Sequence, residues 1–261
     1  VILVSVPFFE TPWLVRRAVD LLLGQTFPDL RIVVTKDGGR ISPWPYLSDI
    51  SDPRLIRFEL PENRGRYYAD SVALLANPFE LFSVHDSDDW SDSTRFEGLI
   101  NALNEADGVT DGFIRHGTNE QIEKHKPQPG LVGHRSGRSL WHIAHHKGLW
   151  RTEKLRPLGM GPTFRVGWDT YLMHFAERLL KIEWVNSYGY HQQRRKGSLT
   201  QSAGTGIASK YRKGVIEELD RLWGTAEQSG FDPGEVEDLL RPNPKLLSEL
   251  SADAARLREL L

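Results

Sequence analysis

Leu81-Phe82-Ser83-Val84-His85-Asp86-Ser87-Asp88-Asp89-Trp90 is the stretch whose reading decides the fold. Glu80 to Val84 forms a short, largely apolar run, the signature of a buried strand. It passes without a break into three carboxylates, Asp86, Asp88 and Asp89. In an open α/β sheet, ligands bind beyond the carboxyl ends of the strands. Carboxylates gathered there repel one another, and a shared hard divalent cation with oxygen ligands relieves that repulsion. Such a cation would in turn hold phosphate oxygens. The competing reading is a solvated acidic turn that starts the next helix. Ser91 is the expected cap of that helix, and Phe96, Leu99, Ile100 and Leu103 are its apolar stripe.

Upstream, strand and helix signals alternate. Ile2 to Val6 reads as a buried strand, and Thr11-Pro12 starts a helix that Gly24 closes. Arg31 to Thr35 is a second strand, followed by the turn Asp37-Gly38-Gly39. Leu55 to Leu60 is a third strand and Tyr67 to Ala76 a helix. This order predicts an α/β fold with a doubly wound, mostly parallel sheet. Downstream, strand-like pieces lie at Gly112 to His116 and Ser139 to Ile143. An amphipathic helix spans Trp168 to Leu180, and a strand spans Lys181 to Tyr188. From Gly206 the pattern is helical, at Val215 to Trp223, Glu235 to Leu240 and Ala252 to Leu260, broken by Pro233, Pro242 and Pro244. The expected units are residues 1–105, 106–205 and a helical appendage at 206–261.

Composition narrows the chemistry. The 261 residues contain no cysteine, which excludes disulfides, zinc–thiolate sites and thiol nucleophiles. No apolar run reaches a membrane span. The start at Val1 lacks the basic region and cleavage site of a signal peptide and reads as a strand, so a cytoplasmic location is expected. Formal charge is −2, yet two stretches are strongly basic. Residues 115–156 carry +6, and residues 191–214 carry six Lys or Arg and no acid.

Five pieces in series resemble the family 2 glycosyltransferases, which have the GT-A fold. They are Pro7-Phe8-Phe9-Glu10 after the first strand, Gly24-Gln25-Thr26 after the first helix, and Lys36-Asp37-Gly38-Gly39 after the second strand. Asn63-Arg64-Gly65 and Asp86-Ser87-Asp88-Asp89 follow. The match covers about residues 1 to 105. The resemblance implies a nucleotide-sugar donor held by the first half and an acceptor bound by the second. Pro7, Phe8 and Glu10 would lie beside the nucleotide base, with Glu10 and Phe8 departing from the family's usual Asn and Thr. Asp37 would accept the base imide proton, and Lys36 replaces its acidic neighbour. Arg64 and Arg66 both sit where relatives carry a base- or phosphate-facing cation, and the choice between them stays open. Asp86 and Ser87 would face the nucleotide. Asp88 would ligate manganese or magnesium, with Asp86 and Asp89 as further ligands or orienters.

The resemblance also implies a catalytic base at the start of a helix after a Gly-rich segment. Asp169 matches that position, and Trp168 replaces an acid beside it. One carboxylate near the acceptor hydroxyl removes its proton during attack. The alternative for Asp169 is a helix N-terminal acid answering the helix dipole. In Tyr188 to Thr200, relatives carry a mobile loop over the diphosphate. Arg194, Arg195 and Lys196 could clamp it, or form a solvated charge run, and His191 is a candidate third metal ligand or an ordinary strand-end histidine.

Six of the nine histidines lie between His116 and His146. Acceptor contact or surface placement suits His116, His125, His134, His142, His145 and His146 better than a metal site. Trp141 and Trp150 read as core, with sugar or base stacking as the alternative. The two basic stretches suit an anionic acceptor: an acidic glycan, a phospholipid-linked sugar, or a nucleic acid carrying hydroxylated bases. The reading is thus a metal-dependent, inverting transferase that favours UDP-sugars. The alternatives are a sugar-phosphate nucleotidyltransferase and a non-catalytic binding module. The C-terminal helices, through Leu257, Leu260 and Leu261, are a candidate homodimer contact.

Overall fold

The computed structural model describes residues 1–117, 121–126, 146–195, 198–199 and 202–261. His134, His142, His145, Trp141, Lys196, Thr200 and the strand expected at Ser139 to Ile143 lie outside those residues.

Strands β1 (Ile2–Phe8), β2 (Leu30–Asp37), β3 (Leu55–Leu60) and β4 (Leu81–Val84) alternate with helices α1 (Pro12–Leu23) and α2 (Arg66–Ala76). After β5 (Trp90–Ser91) and α3 (Arg95–Leu103) come β6 (Gly108–His116), β7 (Ile122–His125), β8 (Leu149–Arg151) and α4 (Thr152–Leu155). Helix α5 (Trp168–Leu179), strand β9 (Ile182–Gln193) and helices α6 (Lys210–Gln228), α7 (Pro233–Leu240) and α8 (Pro244–Arg258) complete the chain. The strands form one sheet in the order β3-β2-β1-β4-β8-β6-β9-β5, with β7 beside β6.

The first half of the sheet is parallel: β1 pairs with β2 and β4, and β2 with β3. Strand β8 then runs antiparallel to both β4 and β6, and β6 pairs in parallel with β9. The carboxyl ends of β1, β2, β4, β6 and β9 therefore share one edge. The amino end of β8 lies on that same edge because β8 alone among them is reversed.

Alternation along the strands builds two cores. Ile2, Val4, Val6 and Phe8 pack with Ile32 and Val34 under α1 and α3. Leu3, Val33, Phe58, Phe82 and Val84 face α2, α5 and the C-terminal helices. The appendage is thereby part of this core: Leu219, Trp223, Leu250, Ala254 and Leu257 are all buried in it. Tyr68 donates to Asp253 at 2.9 Å, and Arg258 of α8 donates to the carbonyls of Leu75 and Ala76, which end α2. Of the stripe expected to offer a dimer contact, Leu257 is buried within the chain, Leu261 is partly buried and Leu260 is exposed. Pro233 and Pro244 do not merely separate helices; each occupies the first turn of one, with Asp232 and Asn243 as side-chain caps.

Two boundaries differ from expectation. Helix α3 begins at Arg95, and Ser91 instead lies in β5, paired with Tyr190. Strand β9 continues to Gln193, five residues beyond the expected end, because β5 and β6 give it partners there.

Candidate active site

Two helices aim their first turns at the sheet edge, and each is preceded by a glycine with positive φ. Gly65 has φ 92° before Arg66 and Tyr67, and Gly167 has φ 85° before Trp168 and Asp169. That backbone turns the chain sharply into the helix, a conformation that costs other residues more. The acidic turn lies between them, where the Asp89 N–H donates to the Asp86 carbonyl at 3.2 Å. Oxygens of Asp86, Asp88 and Asp89 all lie within 4.8 Å of one another.

The turn is neutralised from three directions. Asp86 pairs with Arg66 at 2.6 Å and with Lys147. Asp89 accepts from Lys147 at 3.0 Å, from the Tyr190 hydroxyl at 2.7 Å and from the Gln193 N–H at 2.8 Å. Asp88 pairs with Arg195 at 2.6 Å, and Arg17 donates to the Asp88 carbonyl at 3.2 Å. Burial alone would raise the Asp86 carboxyl, but Arg66 and Lys147 outweigh it and hold the group well below the carboxylate range. Burial and the charges of Asp86 and Asp88 push Asp89 up to about 7. Burial would lower the Lys147 ammonium, and the two carboxylates outweigh it.

Asp169 joins the same constellation. Its Oδ1 accepts from the Tyr67 hydroxyl at 2.9 Å. Burial would raise its carboxyl, but nearby cationic charge and the Tyr67 hydroxyl leave it below the ordinary value, ionised at neutral pH. Arg66, between Asp86 and Asp169, also faces Asp70 at 3.6 Å, and Asp70 in turn accepts from Ser5 at 2.7 Å.

The structure thus brings together Asp86, Asp88, Asp89, Arg66, Arg195 and Asp169. It separates the two candidate arginines: Arg66 turns inward, while Arg64 pairs with Glu249 of α8 at 2.5 Å and lies over Tyr68. Phe8 is a correction. Its side chain is fully buried with Val4 and Val6, because strand alternation points it into the core; Phe9 is the exposed neighbour. Pro7 is partly buried and Ser87 buried. Glu10 is exposed, and its carboxylate accepts from the Arg40 N–H at 3.3 Å. Asp37 is buried, and its two oxygens accept the N–H groups of Arg64 at 2.7 Å and Gly65 at 2.8 Å, so it anchors the start of α2. Arg194 is exposed, and its N–H donates to the His116 carbonyl.

His191 is not brought into the acidic turn. Its ring stacks on Trp90, and its nitrogens meet Asp92 at 3.0 Å and His116 at 2.9 Å. Trp150 is core, as expected. His146, expected to meet the acceptor or the surface, is instead 4% exposed with Nε2 3.2 Å from Arg66. Burial and the charge of Arg66 press its pKa down to about 3, so it is neutral.

Lys147, Tyr67 and Tyr190 were not singled out from the sequence as site residues. Lys147 counted only toward a basic stretch. Its signal, a cation just before a strand, gains meaning only when that strand is known to run backwards.

The donor set suits a hard divalent cation, being three carboxylates and no softer ligand. Asp86 and Asp89 are already engaged by buried partners. Asp88 meets a half-exposed cation, Arg195, through one oxygen, and is the carboxylate best placed to take an ion.

The family model described as "Glycosyl transferase family 2" matches residues 3–219. No curated protein sequence matches the chain. Among solved structures, S. aureus TarS 1-349 in complex with UDP-GlcNAc is similar at a TM-score of 0.61 and 18% identity, over 76% of this chain and 59% of that one. The mannosyltransferase PcManGT from Pyrobaculum calidifontis, in complex with GDP-Man and Mn2+, has a TM-score of 0.59 and 16% identity, over 98% of this chain and 73% of that one. The match to the longer S. aureus TarS chain spans 36% of its length. At these identities the likeness is one of fold.

Proposed function

Because the chain belongs to glycosyltransferase family 2, we propose that it moves a sugar from a nucleoside diphosphate donor, UDP favoured, to an acceptor hydroxyl with inversion. The observation that carries this reading is the joining of the acidic turn to Asp169 through consecutive residues of α2. Arg66 meets Asp86 while Tyr67 holds Asp169. Donor-side and acceptor-side groups are thus set from one rigid helix turn.

Asp169 is the general base. It is ionised and oriented, as a base that removes the acceptor proton during attack must be. Attack then comes from the face of the sugar opposite the nucleotide. Asp88 would hold a divalent ion, manganese or magnesium, which when bound supplies positive charge for the leaving diphosphate. Arg195 lies against Asp88 and supplies a further cation beside that charge. Exposed Arg194 and Lys124, with the basic stretches around them, favour an anionic acceptor.

Calorimetry with UDP, GDP and their sugars, with and without manganese, tests the donor reading. Binding by one nucleotide diphosphate supports it, and binding by none overturns it. The anomeric configuration of the product decides inversion. Salt-dependent retention on DNA would single out nucleic acid as the acceptor, and no retention at low salt would remove it. Among the described residues, no helix is long and apolar enough to cross a membrane.

A further inference from the structure

Lys147 is a buried cation at the centre of an acidic turn, and the backbone that carries it is pinned at three successive carbonyls. The His146 carbonyl accepts from Trp150 Nε1 at 3.0 Å, that of Lys147 from Arg95 at 2.7 Å, and that of Gly148 from the Ser83 hydroxyl at 2.8 Å. Arg95 is itself locked in a two-pronged pair with Asp111, and both side chains are almost wholly buried. Gly148 packs so closely that an added Cβ would stand 2.2 Å from the Val109 carbonyl oxygen. The ammonium then lies 4.6 Å from the centroid of the buried Tyr190 ring and bridges Asp86 and Asp89.

A side chain held this way does not leave to make room for an ion. Drawing it out would leave Asp86 to Arg66 alone and Asp89 to the neutral Tyr190 hydroxyl and Gln193 N–H, and removing one partner of a buried ion pair is costly. Asp88 stands apart, since its partner Arg195 is 30% exposed and lies past the end of β9. One carboxylate of the three is therefore exchangeable. A single carboxylate binds a divalent cation weakly, because calcium- or manganese-like ions need six or more oxygens and the rest must come from elsewhere. The donor's diphosphate supplies such oxygens.

We infer that Lys147 is a resident counter-cation that closes Asp86 and Asp89 to metal, so that Asp88 binds a divalent ion only together with a nucleoside diphosphate. This rests on the transferase reading for the identity of the second ligand. The metal–diphosphate unit is close to electroneutral, so it can take the place of the Asp88–Arg195 contact with little change in the charge of the turn. Arg195 is then released toward the diphosphate. Lys147 is a positioning residue in this arrangement: it touches carboxylates of the site and acts through them.

The test is a manganese titration of the whole chain by calorimetry, with and without UDP. In the wild type, UDP should tighten manganese binding at least tenfold. Lys147→Met should tighten binding of manganese alone at least tenfold, because the Oδ2 atoms of Asp86 and Asp89 that the ammonium covers become open to it. Lys147→Arg should keep the wild-type pattern. The inference is overturned if the wild type binds manganese equally well without UDP, or if Lys147→Met leaves the affinity for manganese alone unchanged. Should Lys147→Met not fold, the double variant Lys147→Met/Asp89→Asn removes the cation together with one of its two carboxylate partners while leaving Asp86 Oδ2 uncovered, and the same titration decides with it. If no nucleoside diphosphate binds under any condition, the transferase reading fails. The titration with manganese alone still judges whether Lys147 closes the turn.

Discussion

The Tyr67 hydroxyl donates to Asp169 Oδ1 at 2.9 Å, and the Asp169 N–H approaches the same hydroxyl oxygen at 3.4 Å. A phenol from one helix thus fixes both the carboxylate and the first turn of another. Removing the hydroxyl in Tyr67→Phe should lower kcat about tenfold with little change in donor KM, since a positioning hydrogen bond to a charged group contributes about 1.5–3 kcal/mol. The hydroxyl also holds the Asp169 carboxyl down. Its loss raises that pKa, so the acid limb of the kcat–pH profile should move to higher pH. A profile that does not move would assign Tyr67 to packing alone.

Asp169→Asn should reduce transfer by about 10²-fold or more, the usual contribution of a positioned base. Donor binding, measured by calorimetry, should persist, because the role proposed for this carboxylate is toward the acceptor hydroxyl and not the donor. Full transfer activity in this variant would remove Asp169 from the chemistry.

Asp88→Ala should weaken manganese-supported donor binding while leaving stability nearly unchanged. The pair it loses, with Arg195, is partly exposed, and such pairs contribute about 0–1 kcal/mol. Thermal unfolding and calorimetry on one preparation check both halves.

Arg95 and Asp111 are a different case. Both are buried, and Arg95 also carries the Lys147 carbonyl. Asp111→Asn strands a buried guanidinium and should destabilise the protein by about 3–5 kcal/mol in urea unfolding. A change below about 1 kcal/mol would show that the pair is solvated.

Glu177 on α5 lies away from the acidic turn, and partial burial pushes its carboxyl up to about 7. A group that binds its proton more tightly when folded stabilises the protein at low pH. That contribution is present below pH 4.5 and lost as pH rises through 7. Glu177→Gln should therefore gain stability relative to the wild type between pH 4.5 and pH 8. The gain should be on the order of 1 kcal/mol after allowing for solvent screening at a half-exposed group. A difference independent of pH would place Glu177 in water.

The C-terminal helices were legible as helices, but not in what they cover. Leu257 faces α2 and the core rather than a second chain, because burying it there stabilises by about 1.5–3 kcal/mol and Arg258 and Asp253 fix the packing on either side of it. Helix boundaries at Pro12, Arg66 and Trp168 agree with the sequence to within a residue or two. The boundary at Ser91 does not, since a hydroxyl that looks like a cap was recruited by β5 and His85 instead. Phe8 shows the limit of motif matching: the family position suggests a ligand contact, while alternation along β1, visible at Ile2, Val4 and Val6, places the side chain in the core.

Order along the chain was enough to determine the parallel first half of the sheet, the acidic turn at its edge and Asp169 at a helix start. Those features are local. Each depends on hydrophobic period, on a glycine before a helix, or on a strand ending in carboxylates. Which cations answer those carboxylates was decided only by tertiary structure. Lys147 is 58 residues from Asp89 in sequence and 3.0 Å from it in space. It arrives there because β8 runs antiparallel between β4 and β6 and so delivers its amino end to the edge where the other strands deliver their carboxyl ends. Strand direction in a sheet is set by which neighbour supplies the hydrogen bonds, and the three residues Leu149–Arg151 carry no mark of it.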